Sequence, residues 1–290
     1  MISVIAVDWG TSNFRGYALG PEGNVLDRVI AHDGMASVAN GGFADILHRH
    51  CGVWMRTSPQ APVLMAGMVG SRNGWAEAAY ATCPASPKSV ANAFFHINDR
   101  VSIVPGVIAR GSSGPDVMRG EETLVFGSGI QDGLVCLPGT HSKWAVVKKG
   151  AIIDFATFMT GESYGLYRDK SLLTRLANEP DDPSGFEAGL NAAKDAGGLL
   201  NRLFQARTRV LDGVMTGAMV GPYISGLLIG AELEGAFQRY GIPKEATLVA
   251  EGALAHNYDI ALMRYGIAVR IVTPEQAFLD GLSALAQHHV

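Results

Sequence analysis

Apolar and polar residues follow one another along this chain in a pattern that predicts strands and helices in turn, which is typical of an α/β protein. Short apolar runs bounded by Gly, Pro, Asn or Asp predict strands at residues 2–7, 14–19, 25–30, 63–70, 101–108, 134–137, 144–150, 151–155, 247–255 and 268–272. Apolar residues at helical spacing predict helices at 43–55, 117–127, 223–240 and 275–288, and the same spacing is frequent at 163–209. Three glycines in the longest helix predict close approach of a neighbouring backbone: Gly226, Gly230 and Gly235.

One arrangement occurs twice. A strand, a turn of Gly, Thr and Ser and two further strands lie at residues 2–30 and again at 134–155. Such a repeat predicts two related lobes, each presenting one turn. We predict an N-terminal lobe of residues 1–112, joined by a C-terminal helix at 275–290, and a C-terminal lobe of residues 113–274. The Gly, Ser and Pro residues at 110–116 favour a passage between the lobes there.

The first turn, Gly10-Thr11-Ser12-Asn13, follows Asp8 at the end of the first predicted strand. Its backbone N–H groups and two hydroxyls are suited to holding a phosphate. A carboxylate at that place repels a bare phosphate, so the pattern favours a cation between them, and Mg²⁺ held largely through water is the natural candidate. The same residues are also typical of an ordinary β-hairpin. Both interpretations stay open at this point.

A polar cluster, Ser71-Arg72-Asn73, follows the buried run at 63–70. Open α/β sheets place ligand contacts at strand ends, and the planar guanidinium of Arg72 suits a carboxylate. A surface loop with a capping Asn is the alternative interpretation of the cluster.

Asp116 precedes the helical run at 117–127. It could cap that helix, or it could be the general base that takes the proton of a hydroxyl attacking a γ-phosphate. Glu162 begins the next helical region, where it could cap the helix or face a site. Small residues at Gly252 and Ala253 leave room for a base and a ribose, although tight strand–helix packing would give the same sequence.

Composition narrows the class of protein. The chain has 290 residues and a net charge of −4, which argues against a nucleic-acid-binding protein. Cys51, Cys83 and Cys136 have no CxxC spacing and favour reduced thiols over disulfides or a zinc site. No run approaches the ~20 apolar residues that span a bilayer, and the opening run is broken at Asp8 and lacks the basic region of a signal peptide. We therefore expect a cytoplasmic protein.

The motifs carry a resemblance. Residues 8–15, Asp-Trp-Gly-Thr-Ser-Asn-Phe-Arg, resemble the first phosphate motif of the sugar kinase, Hsp70 and actin superfamily. Over nearly its whole length the chain resembles the 2-dehydro-3-deoxygalactonokinase family of bacterial sugar-acid kinases. The segments that carry this likeness are 6–15, 65–75, Met-Arg-Gly-Glu-Glu-Thr within 116–123, Pro-Gly-Thr-His-Ser-Lys-Trp within 137–144, and 251–253.

The resemblance implies a two-lobed α/β fold of the actin-like ATPase (ribonuclease H-like) class, with ATP and substrate in the cleft between the lobes. It implies transfer of the ATP γ-phosphate to the 6-hydroxyl of 2-dehydro-3-deoxy-D-galactonate. Asp8 would orient hydrated Mg²⁺, and Asp116 would be the base. Further assignments are nucleotide contacts from Gly10, Thr11, Ser12, Asn13, Gly139, Thr140, His141, Ser142, Lys143, Gly252 and Ala253, and sugar-acid contacts from Arg15, Ser71, Arg72, Asn73 and Glu162.

The second turn departs from the superfamily pattern. Many relatives carry an acid at its start, whereas residues 137–141 are Leu-Pro-Gly-Thr-His. Two interpretations of Lys143 are open here: it neutralises phosphate charge, or it is a solvated lysine.

Two other functions are compatible with these motifs. The same fold could phosphorylate a related sugar or sugar acid, such as 2-dehydro-3-deoxygluconate, a neutral hexose or an amino sugar. It could also be a non-catalytic, nucleotide-dependent switch, although switches of this fold usually carry insertions or an added domain that this compact chain lacks. The expected partners are a sugar acid and ATP, with no nucleic acid and no membrane; a homo-oligomer is left open.

Overall fold

A computed structural model of the chain describes residues 1–39, 41–111, 114–176 and 180–288. Its strands are β1 Val4–Trp9, β2 Phe14–Leu19, β3 Val25–Ala31, β4 Val63–Ala66, β5 Ala81–Thr82, β6 Phe95–His96, β7 Val101–Ile103, β8 Val107–Gly111, β9 Gly114–Met118, β10 Gly133–Leu137, β11 Ser142–Lys148, β12 Ala151–Phe158, β13 Glu245–Val249 and β14 Ala268–Val272. Its α-helices are α1 Phe43–Thr57, α2 Pro87–Ala91, α3 Glu121–Gly127, α4 Thr160–Lys170, α5 Ser184–Ala193, α6 Gly198–Leu211, α7 Val220–Tyr240, α8 Gly252–Met263 and α9 Pro274–Ala286.

Four of the predicted elements are wrong in part. The strand predicted at 63–70 ends at Ala66, and the strand predicted at 247–255 ends at Val249, because helix α8 begins at Gly252. The run at 101–108 forms two strands, β7 and β8, because Pro105 lies between them and has no N–H to give to a sheet. The run at 117–127 begins in strand β9 and becomes helical only at Glu121, because Asp116 and Val117 pair antiparallel with β8. Asp116 is therefore not the N-cap of this helix; that position is taken by Gly120, whose φ is 101°.

The chain divides into two compact units. The first, unit 1, comprises Met1–Val135, Ala145–Phe155 and Val272–Val290, and the second, unit 2, comprises Cys136–Trp144 and Ala156–Ile271. The predicted lobes, 1–112 with 275–290 and 113–274, divide the chain differently, because the chain changes unit within strands β10, β11 and β12 and not at a glycine-rich loop. Residues 112 and 113 of the predicted passage, and residues 289 and 290 of the predicted last helix, lie outside the described residues.

A six-stranded sheet in the order β3-β2-β1-β4-β7-β6 forms the centre of unit 1. Strands β1, β2 and β3 make the predicted antiparallel meander, and β1, β4 and β7 run parallel. Asp8 of β1 is in register with Ala66 of β4, so these two strands end side by side. Ligand-binding loops of α/β sheets are found at this edge.

Aromatic side chains pack beneath the end of β1. The Trp9 ring lies 4.9 Å from Phe14, 5.5 Å from Phe43 and 6.4 Å from Trp75, in each case edge to face. The Trp9 indole N–H also donates to the carbonyl of Asp33 at 2.9 Å. Because Trp9 is fully buried, these contacts hold the end of β1 and the chain around it on a rigid base.

Helices α3 and α9 pack backbone to backbone in unit 1. A Cβ atom on Gly127 would lie 1.7 Å from the carbonyl oxygen of Ala277, and one on Gly281 would lie 1.9 Å from that of Thr123. Neither position has room for a larger residue, so these two glycines set the distance between the helices.

Helices α5 and α7 pack in the same way in unit 2. A Cβ on Gly226 would lie 2.1 Å from the Phe186 carbonyl oxygen, which confirms the predicted close backbone approach at this glycine. Gly230 and Gly235 face side chains, those of Ala193 and Phe158. Strands β10 to β14 form a five-stranded sheet in the order β12-β11-β10-β13-β14, and β10, β11 and β12 give the predicted repeat of strand, turn, strand, turn and strand.

Candidate functional site

Asp8 and Arg15 form an ion pair at the end of the first hairpin. The two residues are opposite one another in the β1–β2 register, and Arg15 Nη1 donates to Asp8 Oδ2 at 2.7 Å. Burial raises the pKa of the Asp8 carboxyl, and the hydrogen bond and charge of Arg15 oppose that shift. The sequence assigned Arg15 to the sugar acid, whereas its guanidinium here contacts the carboxylate predicted to orient the metal.

The first turn presents its hydroxyl residues outward. Thr11 and Ser12 are exposed, and the N–H of Gly10 closes the turn by donating to the carbonyl of Asn13 at 3.0 Å. The side-chain oxygen of Asn13 lies 3.0 Å from His32 Nδ1. The turn is thus closed by its own backbone hydrogen bond, and its two hydroxyl side chains face solvent.

Gly34 and Met35 support the first turn from behind. A Cβ on Gly34 would lie 2.2 Å from the carbonyl carbon of Ser12, so only glycine fits against this backbone. The N–H of Met35 donates to the carbonyl of Gly10 at 2.9 Å. No motif drew attention to Gly34, because its partner atoms are backbone and leave no mark on the sequence.

The polar cluster at 71–73 lies beside the first turn. Ser71 Oγ is 3.3 Å from the sulfur of Met35, the residue whose N–H supports that turn. Arg72 and Asn73 are exposed. Trp75 anchors the cluster by stacking on Phe43 in the aromatic core. Unit 1 therefore places the loop that carries the exposed Arg72 and Asn73 against Met35, the residue that supports the turn after β1.

Asp116 lies in the middle of β9, partly exposed, opposite Ala109 of β8. Its Oδ1 accepts from the N–H of Val117 at 2.8 Å. The capping interpretation of Asp116 is thus wrong, and its role as a general base stays a prediction.

Two glycines connect the start of α3 with Asp8. A Cβ on Gly120 would lie 3.3 Å from the Cα of Gly67, and a Cβ on Gly67 would lie 2.9 Å from the Trp9 carbonyl oxygen and 3.5 Å from Asp8 Oδ1. The backbone conformations, with φ of 101° at Gly120 and 97° at Gly67, also require glycine. The backbone of Gly67 and Gly120 therefore borders one side of the strand end that carries Asp8, and neither residue places a side chain next to Asp8 Oδ1.

Glu122 holds the backbone of that region from below. It is fully buried, its Oε2 accepts from the N–H of Gly120 at 2.7 Å, and its Oε1 accepts from the hydroxyl of Thr123 at 3.1 Å. Burial raises the pKa of Glu122 to about 8, and the nearby charge of Glu121 adds to the shift.

The second turn, in unit 2, is fixed from inside. Gly139 is half-buried and Thr140 and His141 are exposed, whereas Ser142 is buried and its Oγ accepts from the N–H of Gly139 at 3.3 Å. Lys143 is 4 % exposed and its Nζ donates to the carbonyl of His141 at 2.8 Å. Lys143 is therefore not a solvated lysine.

The start of α4 packs on the second turn. A Cβ on Gly161 would lie 2.5 Å from the Gly139 carbonyl oxygen and 2.8 Å from the Cα of Thr140. The N–H of Glu162 donates to the carbonyl of Thr140 at 3.0 Å, and its Oε2 is 2.5 Å from His141 Nε2. Glu162, predicted to contact the sugar acid, lies beside the turn predicted to bind phosphate.

A cavity of about 240 Å³ opens next to the second turn. Its wall includes Gly139 of the turn and Ala253 at the start of α8, two residues that the sequence assigned to the nucleotide. Gly252 begins α8 with a φ of 62° and gives the helix start a conformation that other residues rarely adopt. The remaining lining residues are Thr160, Gly161, Tyr164, Ser225, Leu228, Ile229, Leu254, Asn257 and Tyr258.

No sequence motif includes Tyr258 or Glu232, which lie beneath the second turn. Tyr258 Oη lies 3.2 Å from Ser142 Oγ and donates to Glu232 Oε2 at 2.7 Å. The one available signal was Glu232 itself, an acid that ends an apolar stretch of the longest helix, two residues before Glu234.

Within the ranges that the structure describes, no cluster of three or more His, Cys, Asp or Glu side chains is arranged to hold a metal ion. The three cysteines are free thiols, of which Cys51 and Cys136 are buried. None of the helices in the same ranges combines the length and apolar character needed to cross a membrane.

Solved structures show the fold class. A structure from Sinorhizobium meliloti, assigned as a 2-dehydro-3-deoxygalactonokinase protein, superposes with a TM-score of 0.91 at 34% identity and covers 98% of each chain. The (R)-2-hydroxyglutaryl-CoA dehydratase component A of Acidaminococcus fermentans gives a TM-score of 0.54 at 15% identity over 100% of this chain and 98% of its own. The predicted α/β fold of the actin-like ATPase class is confirmed.

Sequence relatives show the family. A Rhizobium meliloti protein named probable 2-dehydro-3-deoxygalactonokinase is 37% identical over 97% of this chain and 96% of its own length. The Escherichia coli 2-dehydro-3-deoxygalactonokinase is 32% identical over 97% of both. The model of the 2-keto-3-deoxy-galactonokinase family matches residues 8–285. The chain belongs to the 2-keto-3-deoxy-galactonokinase family of sugar kinases.

Proposed function

We propose that this protein transfers the γ-phosphate of ATP to the 6-hydroxyl of 2-dehydro-3-deoxy-D-galactonate, giving the 6-phosphate and ADP. The names of two relatives at 37% and 32% identity support this substrate. The observation that carries the proposal is the cavity of unit 2, whose wall includes both Gly139 of the second turn and Ala253 at the start of α8.

The cavity suits an adenosine. Leu228, Ile229 and Leu254 supply apolar contacts for a flat base, and the polar side chains of Ser225 and Asn257 are available to hydrogen-bond it or the ribose. A nucleoside seated there would have its phosphates near the turn at 139–142. Nothing lies within 4 Å of a Cβ placed on Gly139, so the turn is open on that side.

Asp8 suits Mg²⁺. In proteins Mg²⁺ usually keeps several waters and binds one or two carboxylates together with substrate phosphates. A Mg²⁺ site at Asp8 therefore does not need a cluster of three or more ligating side chains, which the described residues lack. Arg15 contacts Asp8 Oδ2, and the glycine at position 67 leaves room beside Oδ1. When bound, the ion would neutralise phosphate charge.

The acceptor is assigned to unit 1. Asp116 would take the proton from the 6-hydroxyl as that oxygen attacks the γ-phosphorus. Arg72, with Ser71 and Asn73, would bind the sugar-acid carboxylate, for which a guanidinium is the best-matched side chain. Arg15 would hold the Asp8 carboxylate in place through its hydrogen bond to Oδ2.

Phosphoryl transfer asks little covalent chemistry of the protein, so the work of these residues is positioning and charge neutralisation. A kinase that consumes ATP to phosphorylate a metabolite is expected where ATP is abundant, which supports a cytoplasmic location.

The test is ADP release with Mg²⁺ and ATP across a panel of acceptors: 2-dehydro-3-deoxygalactonate, its gluconate epimer, galactonate, galactose and glucose. We expect a strong rate with the first compound and at least a tenfold lower kcat/KM with each of the others. A preference for the epimer or for a neutral hexose would overturn the substrate assignment. ATP hydrolysis that no acceptor increases would point to a switch.

A further inference from the structure

Glu232 is a buried carboxylate in α7 that accepts hydrogen bonds from the side chains of three other elements. It is 2 % exposed. Its Oε1 accepts from the indole N–H of Trp144 at 2.8 Å, and its Oε2 accepts from the hydroxyl of Tyr258 at 2.7 Å and from the hydroxyl of Thr160. The partners come from β11, α8 and α4, so one side chain joins three elements of unit 2 to the helix that carries it.

When Glu232 is ionised, the donor and the acceptor of each hydrogen bond around it are determined. A carboxylate only accepts, so Tyr258 gives its single proton to Glu232. The 3.2 Å contact between Tyr258 and Ser142 is then donated by Ser142 Oγ, which also lies 3.4 Å from the Gly139 carbonyl oxygen. The Ser142 oxygen accepts from the N–H of Gly139 at 3.3 Å. A continuous chain of bonds runs from the backbone of the second turn to Glu232.

Two of the partners of Glu232 also form the wall of the cavity. Thr160 and Tyr258 line it, together with Gly139 at the other end of the hydrogen-bonded chain. Glu232 therefore holds both the turn and the wall, although it does not line the cavity itself.

A carboxylate in this buried position is unfavourable for the free energy of folding. Burial raises the pKa of Glu232, and the hydrogen bonds from Thr160, Tyr258 and Trp144 only partly oppose that shift. A buried acid of this kind is weak evidence for stability, since apolar residues of similar size often serve a core equally well. A role in ordering the surrounding groups accounts for its presence better than stability does.

We propose that Glu232 is a positioning residue of the nucleotide site, which holds the turn at 139–142 and the cavity wall in the geometry that binds ATP. The inference rests on the proposed function in one respect, namely that this cavity and turn bind the nucleotide. Glu232 lies outside the sequence motifs and does not contact the nucleotide, yet its removal should weaken nucleotide binding.

Three variants test the role. Glu232→Gln keeps the shape but places an amide N–H₂ among donors, and Tyr258→Phe cuts the bonded chain between Ser142 and Glu232. Tyr223→Phe is the matched control, because Tyr223 is fully buried in α7 and its hydroxyl has no hydrogen-bond partner among the residues that the structure describes. ADP binding is measured by calorimetry without any acceptor, thermal unfolding is recorded for each variant, and KM is measured for ATP and for the sugar acid separately.

We expect Glu232→Gln and Tyr258→Phe each to weaken ADP binding and raise the ATP KM by about tenfold, because a buried hydrogen-bonding group left unmatched is unfavourable and shifts the turn and the cavity wall out of the binding geometry. The sugar-acid KM should change less than twofold, and Tyr223→Phe should bind ADP like the parent protein. Parent-like ADP binding in both test variants, or equal rises in both KM values, would overturn the proposal and leave Glu232 a structural residue.

The outcome is separable from that of the acceptor panel. If the parent protein binds ADP but phosphorylates none of the sugar acids, the substrate assignment fails and the test of Glu232 still stands. If Glu232→Gln does not fold, Tyr258→Phe gives the same measurement with a smaller change. If the parent protein binds no ADP or ATP, both the nucleotide site and the role of Glu232 are rejected.

Discussion

The two turns of this kinase share an architecture and differ in what holds them. The turn after β1 carries charge at its surface, namely Asp8 with Arg15, and rests on the backbone of Gly34. The turn after β10 carries no acid and is held from inside by buried Ser142 and by the start of α4. The sequence repeat therefore specifies the shape of the turn. The residues that support each turn differ between the two units.

The difference suggests a division of labour. Exposed charged groups in unit 1 should act on the acceptor and on the chemical step, so their loss should change kcat or the sugar-acid KM. The packed support in unit 2 should act on the nucleotide, so its loss should change the ATP KM. A variant whose effect falls on the other substrate would break this comparison.

The largest effect is expected for Asp116→Asn. Loss of a general base should lower kcat by at least ~10² with little change in either KM. Steady-state kinetics with both substrates varied measure it, and Asp99→Asn, which removes an exposed carboxylate between β6 and β7, is the charge-matched control. Near-normal turnover in Asp116→Asn would remove this residue from the chemistry.

The next largest effect is expected for Gly161→Ala. The added Cβ would lie 2.5 Å from the Gly139 carbonyl oxygen and must displace the second turn, so we expect the ATP KM to rise about tenfold, in line with the roughly 1–3 kcal/mol that overpacking costs. Gly165→Ala, in the same helix with nothing within 4 Å of its Cβ, is the control. If both variants leave the ATP KM unchanged, contact between α4 and the turn does not matter for nucleotide binding.

A smaller effect, confined to the other substrate, is expected for Arg72→Ala. Loss of a charge-assisted contact to the sugar-acid carboxylate should raise its KM by roughly five- to tenfold and leave the ATP KM alone. Arg56→Ala removes a second exposed guanidinium of unit 1 and serves as the control. An unchanged sugar-acid KM in Arg72→Ala would take this residue out of the substrate site.

A separate effect, on stability and not on either KM or kcat, is expected at Glu122. Its pKa is about 8 in the fold and near 4.5 when unfolded, so between these values the folded chain holds a proton that the unfolded chain has lost. Stability contributed by this group therefore falls as pH rises from 4.5 to 8 and is constant above that. Glu122→Gln lacks this dependence, and its stability relative to the parent should grow by roughly 1 kcal/mol per pH unit in the window. Urea unfolding at pH 6, 7 and 8 measures it; a constant difference would contradict the assignment.

Local patterns predicted the fold well because its strands and turns are local features. The meander β1 to β3 and strand β14 lie within two residues of their predicted positions. The error at 117–127 arose because pairing with β8, a contact made at a distance along the chain, outweighed the helical spacing. The family resemblance supplied the fold class, which periodicity alone could not distinguish from other α/β folds.

The candidate site was predictable only in part. Residues in motifs, such as Asp8 and Gly139, could be singled out by type and position. Gly34 and Gly161 could not, because they fit against backbone atoms brought close by folding. Tyr258 and Ser142 are 116 positions apart, a distance over which no sequence pattern shows a hydrogen bond.

The backbone packing of α3 against α9 has a consequence for how the protein is made. On the ribosome α3 emerges early and α9 emerges after all of unit 2, so the nascent N-terminal unit must wait for its last helix. Gly127 and Gly281 bring the two helices into direct backbone contact. Until α9 has been synthesised, the apolar surface of α3 that it covers stays exposed. Unit 2, which lies between them in the chain, is thus free to complete its fold first during synthesis.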